Sequence, residues 1–214
     1  MTKNYPPAPA NQHDIEIMLE MMTSVTDRRN AAYLSTPLTT GKRFVDWRKQ
    51  KEKAVSPSHP DYRQALAREV IEPNRRHARQ IVAALRGTLA CVLIDPTSVG
   101  DLKDWGQGDY LTLWTGVIER YADTVIFADD WEYSNGCAYE FLAALRSGAA
   151  TRDERQKPLN YDEGCQRIAC AIQWLEAESM PTEFLSCVHR DLKALAPTLR
   201  MTSVNNRGGA RNRE

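Results

Sequence analysis

Three stretches of this 214-residue chain hold residue types that could do chemistry together. The first is Ser35-Thr36-Pro37-Leu38-Thr39-Thr40-Gly41-Lys42-Arg43. Hydroxyls, backbone donors and two adjacent cations suit it to holding a phosphate. The GxxxxGK[ST] spacing of a nucleotide-binding P-loop is absent, and an ordinary surface turn is the competing reading. The second runs from Asp95 to Asp109 and carries Trp105, Gly106, Gln107 and Gly108. Glycines beside an aromatic fit a mobile lid or a surface on which a flat base stacks. Asp109 also reads simply as a helix N-cap. The third is Asp129–Glu140, DDWEYSNGCAYE. Ser134 and Asn135 can cap a helix there, and Gly136 permits close approach of a backbone or ligand. Glu140 falls in the first turns of that helix, off the apolar stripe of Phe141, Leu142 and Leu145. It faces either the mouth of a pocket or plain solvent near a helix N-terminus.

The elements that must position these stretches alternate between short apolar runs and helical periodicity. Ile15, Met18, Leu19 and Met22 predict an N-terminal helix. Ala31–Ser35, Leu89–Ile94 and Thr124–Ala128 read as buried strands, with a fourth strand expected near Ala149–Arg152 or Pro158. Between them, a helix is expected to start at Pro73 and stop at Gly87, and another to start near Asp109. A third is expected from Gly136 to Ser147. Asn160 with Glu163 resembles a capping box, and a last helix should stop at Pro197. The charged stretch 48–63 reads as an inserted surface loop. Residues 1–10 and 201–214 read as flexible tails around a single domain over 11–200.

Strand alternating with helix means parallel strands joined by right-handed crossovers. The expected fold is therefore α/β: a doubly wound, mostly parallel, flavodoxin- or Rossmann-like three-layer sheet with extra N- and C-terminal helices. In such sheets ligands bind beyond the carboxyl ends of the strands, which selects loops 35–46, 95–109 and 129–140.

Composition narrows the function class. There are 28 Lys+Arg against 28 Asp+Glu, a balance that argues against a polymeric nucleic acid as partner. The longest apolar run, Leu89–Ile94, is far shorter than a bilayer span, and residues 1–10 lack a signal-peptide apolar region. The expectation is a cytoplasmic protein without a membrane partner. The five cysteines form no CxxC pair and read as buried reduced thiols, and the four histidines show no ligand spacing. No metal and no cofactor are expected. The neutral total conceals a local separation, with Lys42 and Arg43 in one loop and Asp129, Asp130, Glu132 and Glu140 near another. That separation suits a small phosphorylated sugar.

Over about residues 30–148 the chain resembles the nucleoside 2-deoxyribosyltransferase-like superfamily, which includes the deoxynucleoside-5′-monophosphate N-glycosidases. The resemblance rests on Tyr33-Leu34-Ser35-Thr36-Pro37-Leu38 after a strand and on Thr40-Gly41-Lys42-Arg43 as a phosphate loop. It rests further on Ala122-Asp123 before a strand and on Ser134-Asn135-Gly136-Cys137-Ala138-Tyr139-Glu140. Trp131, just before that motif, matches a tryptophan common in uncharacterised relatives. The resemblance implies an enzyme cleaving the base–sugar bond of a nucleotide or nucleoside, with Glu140 as nucleophile and Tyr33 orienting it. Ser134 and Gly136 would shape the sugar and phosphate side, and Ser35, Asn135, Trp105 and Trp131 join the substrate-binding set. The family's second acid corresponds to Thr115 here, leaving Asp109 as its substitute. Relatives commonly assemble as homodimers or larger homo-oligomers, for which the Met-rich helix (Met18, Met21, Met22) offers a face. Two alternatives stay open: an inactive nucleotide-binding or assembly module of the same fold, and a TIR-like NAD glycohydrolase.

Overall fold

A computed structural model describes residues 7–51 and 59–208. Four strands form one sheet: β1 (Ala31–Ser35), β2 (Val92–Ile94), β3 (Ala122–Phe127) and β4 (Ala150–Asp153). Their order is β2-β1-β3-β4, and every pairing is parallel. Tyr33 pairs with Ile94 on one side and Val125 on the other. The helices are α1 (Gln12–Met21), α2 (Lys42–Lys51), α3 (Tyr62–Leu66), α4 (Glu72–Leu85), α5 (Gln107–Tyr121), α6 (Asn135–Ser147), α7 (Tyr161–Ala177) and α8 (Glu183–Gly208).

The apolar character of β1 follows from its place. It is buried at every position, hydrogen-bonded on both edges and covered on both faces. Alternation along it feeds two separate cores. Ala31 and Tyr33 join the larger one, built with Leu113, Val117, Phe127, Phe141, Ile168 and Leu192. Ala32 and Leu34 join the smaller one under α4, with Ala78, Ile81, Val82 and Leu85. The sheet is thus packed by helices on both faces, a doubly wound α/β architecture. The chain leaves β1 toward β2 on one side and returns to β3 on the other. The crevice where those crossovers diverge opens beyond the carboxyl ends of β1 and β3, next to Ser35 and Ala128.

Several boundaries differ from the sequence expectation. Lys42 and Arg43 open α2 rather than closing a loop, and α2 takes in residues 48–51 of the expected insertion. Trp47 explains this: it is buried, stacks edge-on to Tyr62 at 5.4 Å, and donates its indole N–H to Glu69 at 3.0 Å. Val45, buried in the larger core, and Phe44 packed against that core anchor the same helix. The remainder of that insertion, 52–58, lies outside the described residues. The next helix begins at Tyr62, not Pro73. A π-helical turn, Ala67–Ile71, immediately precedes α4, in whose first turn Pro73 sits. The widened turn accommodates a residue with no N–H to give. Leu89–Ala90-Cys91 stay outside β2, an edge strand whose Val92 is half-exposed.

Helix α8 does not stop at Pro197 but continues to Gly208. Its buried Leu185, Val188 and Leu192 anchor it, and the good helix formers around the proline offset one lost hydrogen bond. The expected C-terminal tail is therefore helical in its first part, with 209–214 outside the described residues. Residues 7–10 are no free tail either: the Ala10 and Asn11 N–H groups both donate to Asp109 Oδ1 at 2.7 Å. Residues 1–6 fall outside the description. All five cysteines are free thiols, but only Cys137 is buried and Cys170 is exposed. Among the described residues no helix is long and apolar enough to cross a membrane.

Candidate active site

Tyr33 and Ser35 are two residues apart on β1, so their side chains leave the same face of the sheet. Both point at α6. Ser134 caps that helix, accepting the Cys137 N–H, and fixes where the helix starts. Glu140 then falls one and a half turns in, over the end of β1. The Tyr33 hydroxyl donates to Glu140 Oε1 at 2.7 Å, and the Ser35 hydroxyl donates to Oε2 at 2.6 Å. Both carboxylate oxygens are thus held by donors from one strand. Tyr33 and Ser35 have no exposed surface, and Glu140 is 8% exposed.

Burial decides the electrostatics. Removal from water pushes the Glu140 carboxyl up to about 7, although both hydroxyl bonds pull the other way. The Tyr33 phenol is raised well above its ordinary value, first by burial and then by the Glu140 charge. It therefore stays a donor at any working pH. The Cys137 thiol is pushed up strongly for the same reasons, which removes it as a thiolate nucleophile. Glu140 is left as the one buried group here that ionises near neutrality.

Glu140 borders a cavity of about 460 Å³. Its floor is the α6 N-terminus, with Ser134, Asn135, Gly136 and Cys137. One wall is the loop after β1, and the other is the start of α5 with Trp105, Gln107, Tyr110 and Trp114. The Trp105 and Tyr110 rings lie 5.3 Å apart, and Trp114 sits 6.3 Å from Tyr33. The Thr40 and Ser134 hydroxyls, 3.0 Å apart, close the cavity toward α2.

A second cavity of about 240 Å³ lies beyond them and shares Thr36 and Thr40 with the first. Lys42 and Arg43 line it, opposite Asp129 and Asp130. Arg43 is oriented by Asn74, whose Oδ1 accepts its Nε–H at 2.8 Å and whose amide donates to the Leu38 carbonyl at 2.9 Å. Lys42 Nζ lies 5.9 Å over the Tyr133 ring. Gly41 makes the turn into α2 with φ +94°, and a Cβ there would come within 3.0 Å of Pro37 Cβ. Thr36 Oγ1, between the two cavities, is buried with no hydrogen-bond partner among the described residues.

The structure thus brings Ser134, Asn135, Gly136, Trp105 and Glu140 together around one cavity, with Tyr33 and Ser35 buried behind Glu140 and Lys42 and Arg43 in the neighbouring cavity. Three placements differ from the expected roles. Ser35 is sealed beneath Glu140 and positions it rather than touching a ligand. Trp131 is a core residue, 1% exposed, with ring centroids 4.8 Å from Phe127 and 4.9 Å from Phe141. Asp109 lines neither cavity. Its carboxylate accepts the backbone N–H groups of Ala10, Asn11 and Gly106, each at 2.7 Å, and these bonds lower its pKa against the opposing effect of burial. Gly106, not Asp109, is the N-cap of α5. Asp109 therefore ties the N-terminal segment to α5 and is no substitute acid. The Thr115 hydroxyl donates to its own helix at the Leu111 carbonyl, 2.6 Å away.

Gln107 and Thr40 fall in the stretches that the sequence singles out, whereas Tyr110 and Trp114 read there as part of a core stripe. Tyr110 and Trp114 carried the right signal, an i, i+4 aromatic pair at a helix start, but the pattern is shared with ordinary core stripes. Comparison with protein-family models, with characterised proteins and with solved structures yields no match.

Proposed function

We propose that this protein cleaves the N-glycosidic bond of a nucleoside or nucleotide through covalent catalysis by Glu140. The observation that carries the reading is the buried Tyr33–Glu140–Ser35 triad at a cavity wall. Two donors fix the carboxylate, leaving lone pairs on both oxygens for attack on the sugar C1′. In the first step an oxygen of Glu140 bonds C1′ as the C1′–N bond breaks, giving a glycosyl ester. Water then attacks C1′ and expels the carboxylate, as in retaining glycosidases. Tyr33 and Ser35 favour the ionised form that attacks and leaves. The hydroxyls of Thr40 and Ser134 suit a sugar, the aromatics of α5 suit a base, and Lys42 and Arg43 suit a 5′-phosphate in the adjoining cavity.

The test is release of free base from nucleosides and their 5′-monophosphates, followed by chromatography. Wild type should release base, and Glu140→Gln should fall by at least about 10³-fold, as loss of a covalent nucleophile does. Arg43→Ala should weaken use of monophosphates more than use of nucleosides. Base release by Glu140→Gln at the wild-type rate would overturn the reading.

A further inference from the structure

The wall of the Glu140 cavity is unusual for an enzyme that must expel a neutral base. A neutral purine or pyrimidine leaves as an anion unless an acid protonates it. Such acids are buried carboxyls or similar groups, and their help is worth ~10²–10⁴-fold. Among the described residues lining this cavity, only Glu140 and Asp101 carry carboxyl groups, and the hydroxyl of Tyr110, the one phenol there, is turned to the Leu102 N–H, which it accepts at 2.8 Å. Glu140 is occupied as the nucleophile. The Asp101 side chain is 102% exposed on the rim, so nothing withdraws water from it. Asp109 is locked to three backbone N–H groups, and Thr115 to its own helix.

The same lining contains no Lys, Arg or His among the described residues, while it presents three aromatic rings, Trp105, Tyr110 and Trp114. Lys42 and Arg43 line the neighbouring cavity, and Arg75 stays outside the lining, 3.9 Å from Asp101 at the rim. Aromatic faces beside the Glu140 carboxylate attract a flat cation and give an anionic leaving group nothing to lean on. Gln107 adds an amide able to pair with a polar substituent on the ring.

We propose that the substrate is an N-glycoside whose base is already cationic, such as an N-ribosylpyridinium or a ring-quaternised purine, held on the Trp105–Tyr110–Trp114 wall. This rests on the N-glycosidase reading above and names its substrate class. Glu140 Oε attacks C1′, and the C1′–N pair returns to the positively charged ring nitrogen, so the base departs neutral with no proton needed. Water then opens the ester at C1′, one oxygen going to the sugar and one proton to solvent. The absent acid becomes a selectivity device, because only a base that needs no protonation leaves quickly.

The experiment compares cationic with neutral bases: 7-methylguanosine against guanosine, which differ by one ring methyl and its charge, and nicotinamide riboside against uridine, two single-ring glycosides. Free base is quantified with wild type and with Glu140→Gln, whose rate also corrects for the spontaneous lability of cationic glycosides. The expected result is kcat/KM at least about 10²-fold higher for the cationic members, dependent on Glu140. Trp105→Leu should raise KM for the cationic members. Equal or faster Glu140-dependent cleavage of guanosine or uridine overturns the cationic-base inference and leaves the glycosidase reading standing. No release above the Glu140→Gln background from either member, or from their 5′-monophosphates, overturns both.

Discussion

Glu140 carries an energetic cost that a purely structural residue would not. Its folded-state carboxyl titrates at about 7 against an ordinary 4.5, so the folded protein holds that proton more tightly than the unfolded chain. The stabilising contribution of the protonated form is fully present below the unfolded value and is lost as pH rises through about 7. Glu140→Gln should therefore stabilise the protein at pH 8 to 9 by up to about 3 kcal/mol, with the gain vanishing below pH 5. Denaturant unfolding at the two pH values measures it, and a variant that is less stable at both contradicts the assignment. Activity should run the opposite way, rising through about pH 7 as the nucleophile ionises. Tyr33→Phe removes a bond that favours the carboxylate, so its acidic limb should move to higher pH and its kcat should fall. Cys137 also acts on Tyr33 electrostatically, and burial keeps its thiol protonated, so Cys137→Ala should leave that limb in place.

At the scale of elements, the site depends on the register between β1 and α6. Gly164 lets α7 close on α6, because a Cβ there would stand 2.1 Å from the Phe141 ring, one residue from Glu140. Gly164→Ala should destabilise the protein by about 1–3 kcal/mol through overpacking, measured by thermal or denaturant unfolding. The N-terminal segment is a second coupling. A Cβ on Gly108 would meet the Ala8 carbonyl oxygen at 2.6 Å, and Asp109 binds the same segment, so residues 7–11 and the start of α5 form one unit. Asp109→Asn should loosen that unit and raise amide exchange over residues 7–11. A loss confined to chemistry, with the segment still protected, would show that Asp109 acts in catalysis instead.

At the scale of the molecule, the sequence displays the fold well because its strongest signals are physical necessities. Ala31–Ser35 and Thr124–Ala128 had to be apolar on both faces to sit at the centre of a parallel sheet. Ser134 and Asn160 had to be hydrogen-bond acceptors at helix starts, and each accepts a helix N–H in the structure. Tyr33 and Glu140 were legible as a pair only through the resemblance, since 107 positions separate them and no local pattern joins them. The misplaced residues share one cause: residue type does not reveal whether a side chain faces the cavity or the core. Trp131 and Trp105 look alike in sequence, yet one is sealed between Phe127 and Phe141 while the other lines the cavity. Asp109 likewise has the chemistry of an acid, and only the approach of residues 10 and 11 shows where its oxygens go.

The covalent role of Glu140 can be observed directly. Wild-type protein, acid-quenched during turnover of a nucleoside or nucleotide that it cleaves, should carry one added glycosyl group. Peptide mass mapping should place it on Glu140, and Glu140→Gln should neither release base nor gain the mass. Continued base release by Glu140→Gln, or an adduct on another residue, would contradict the account.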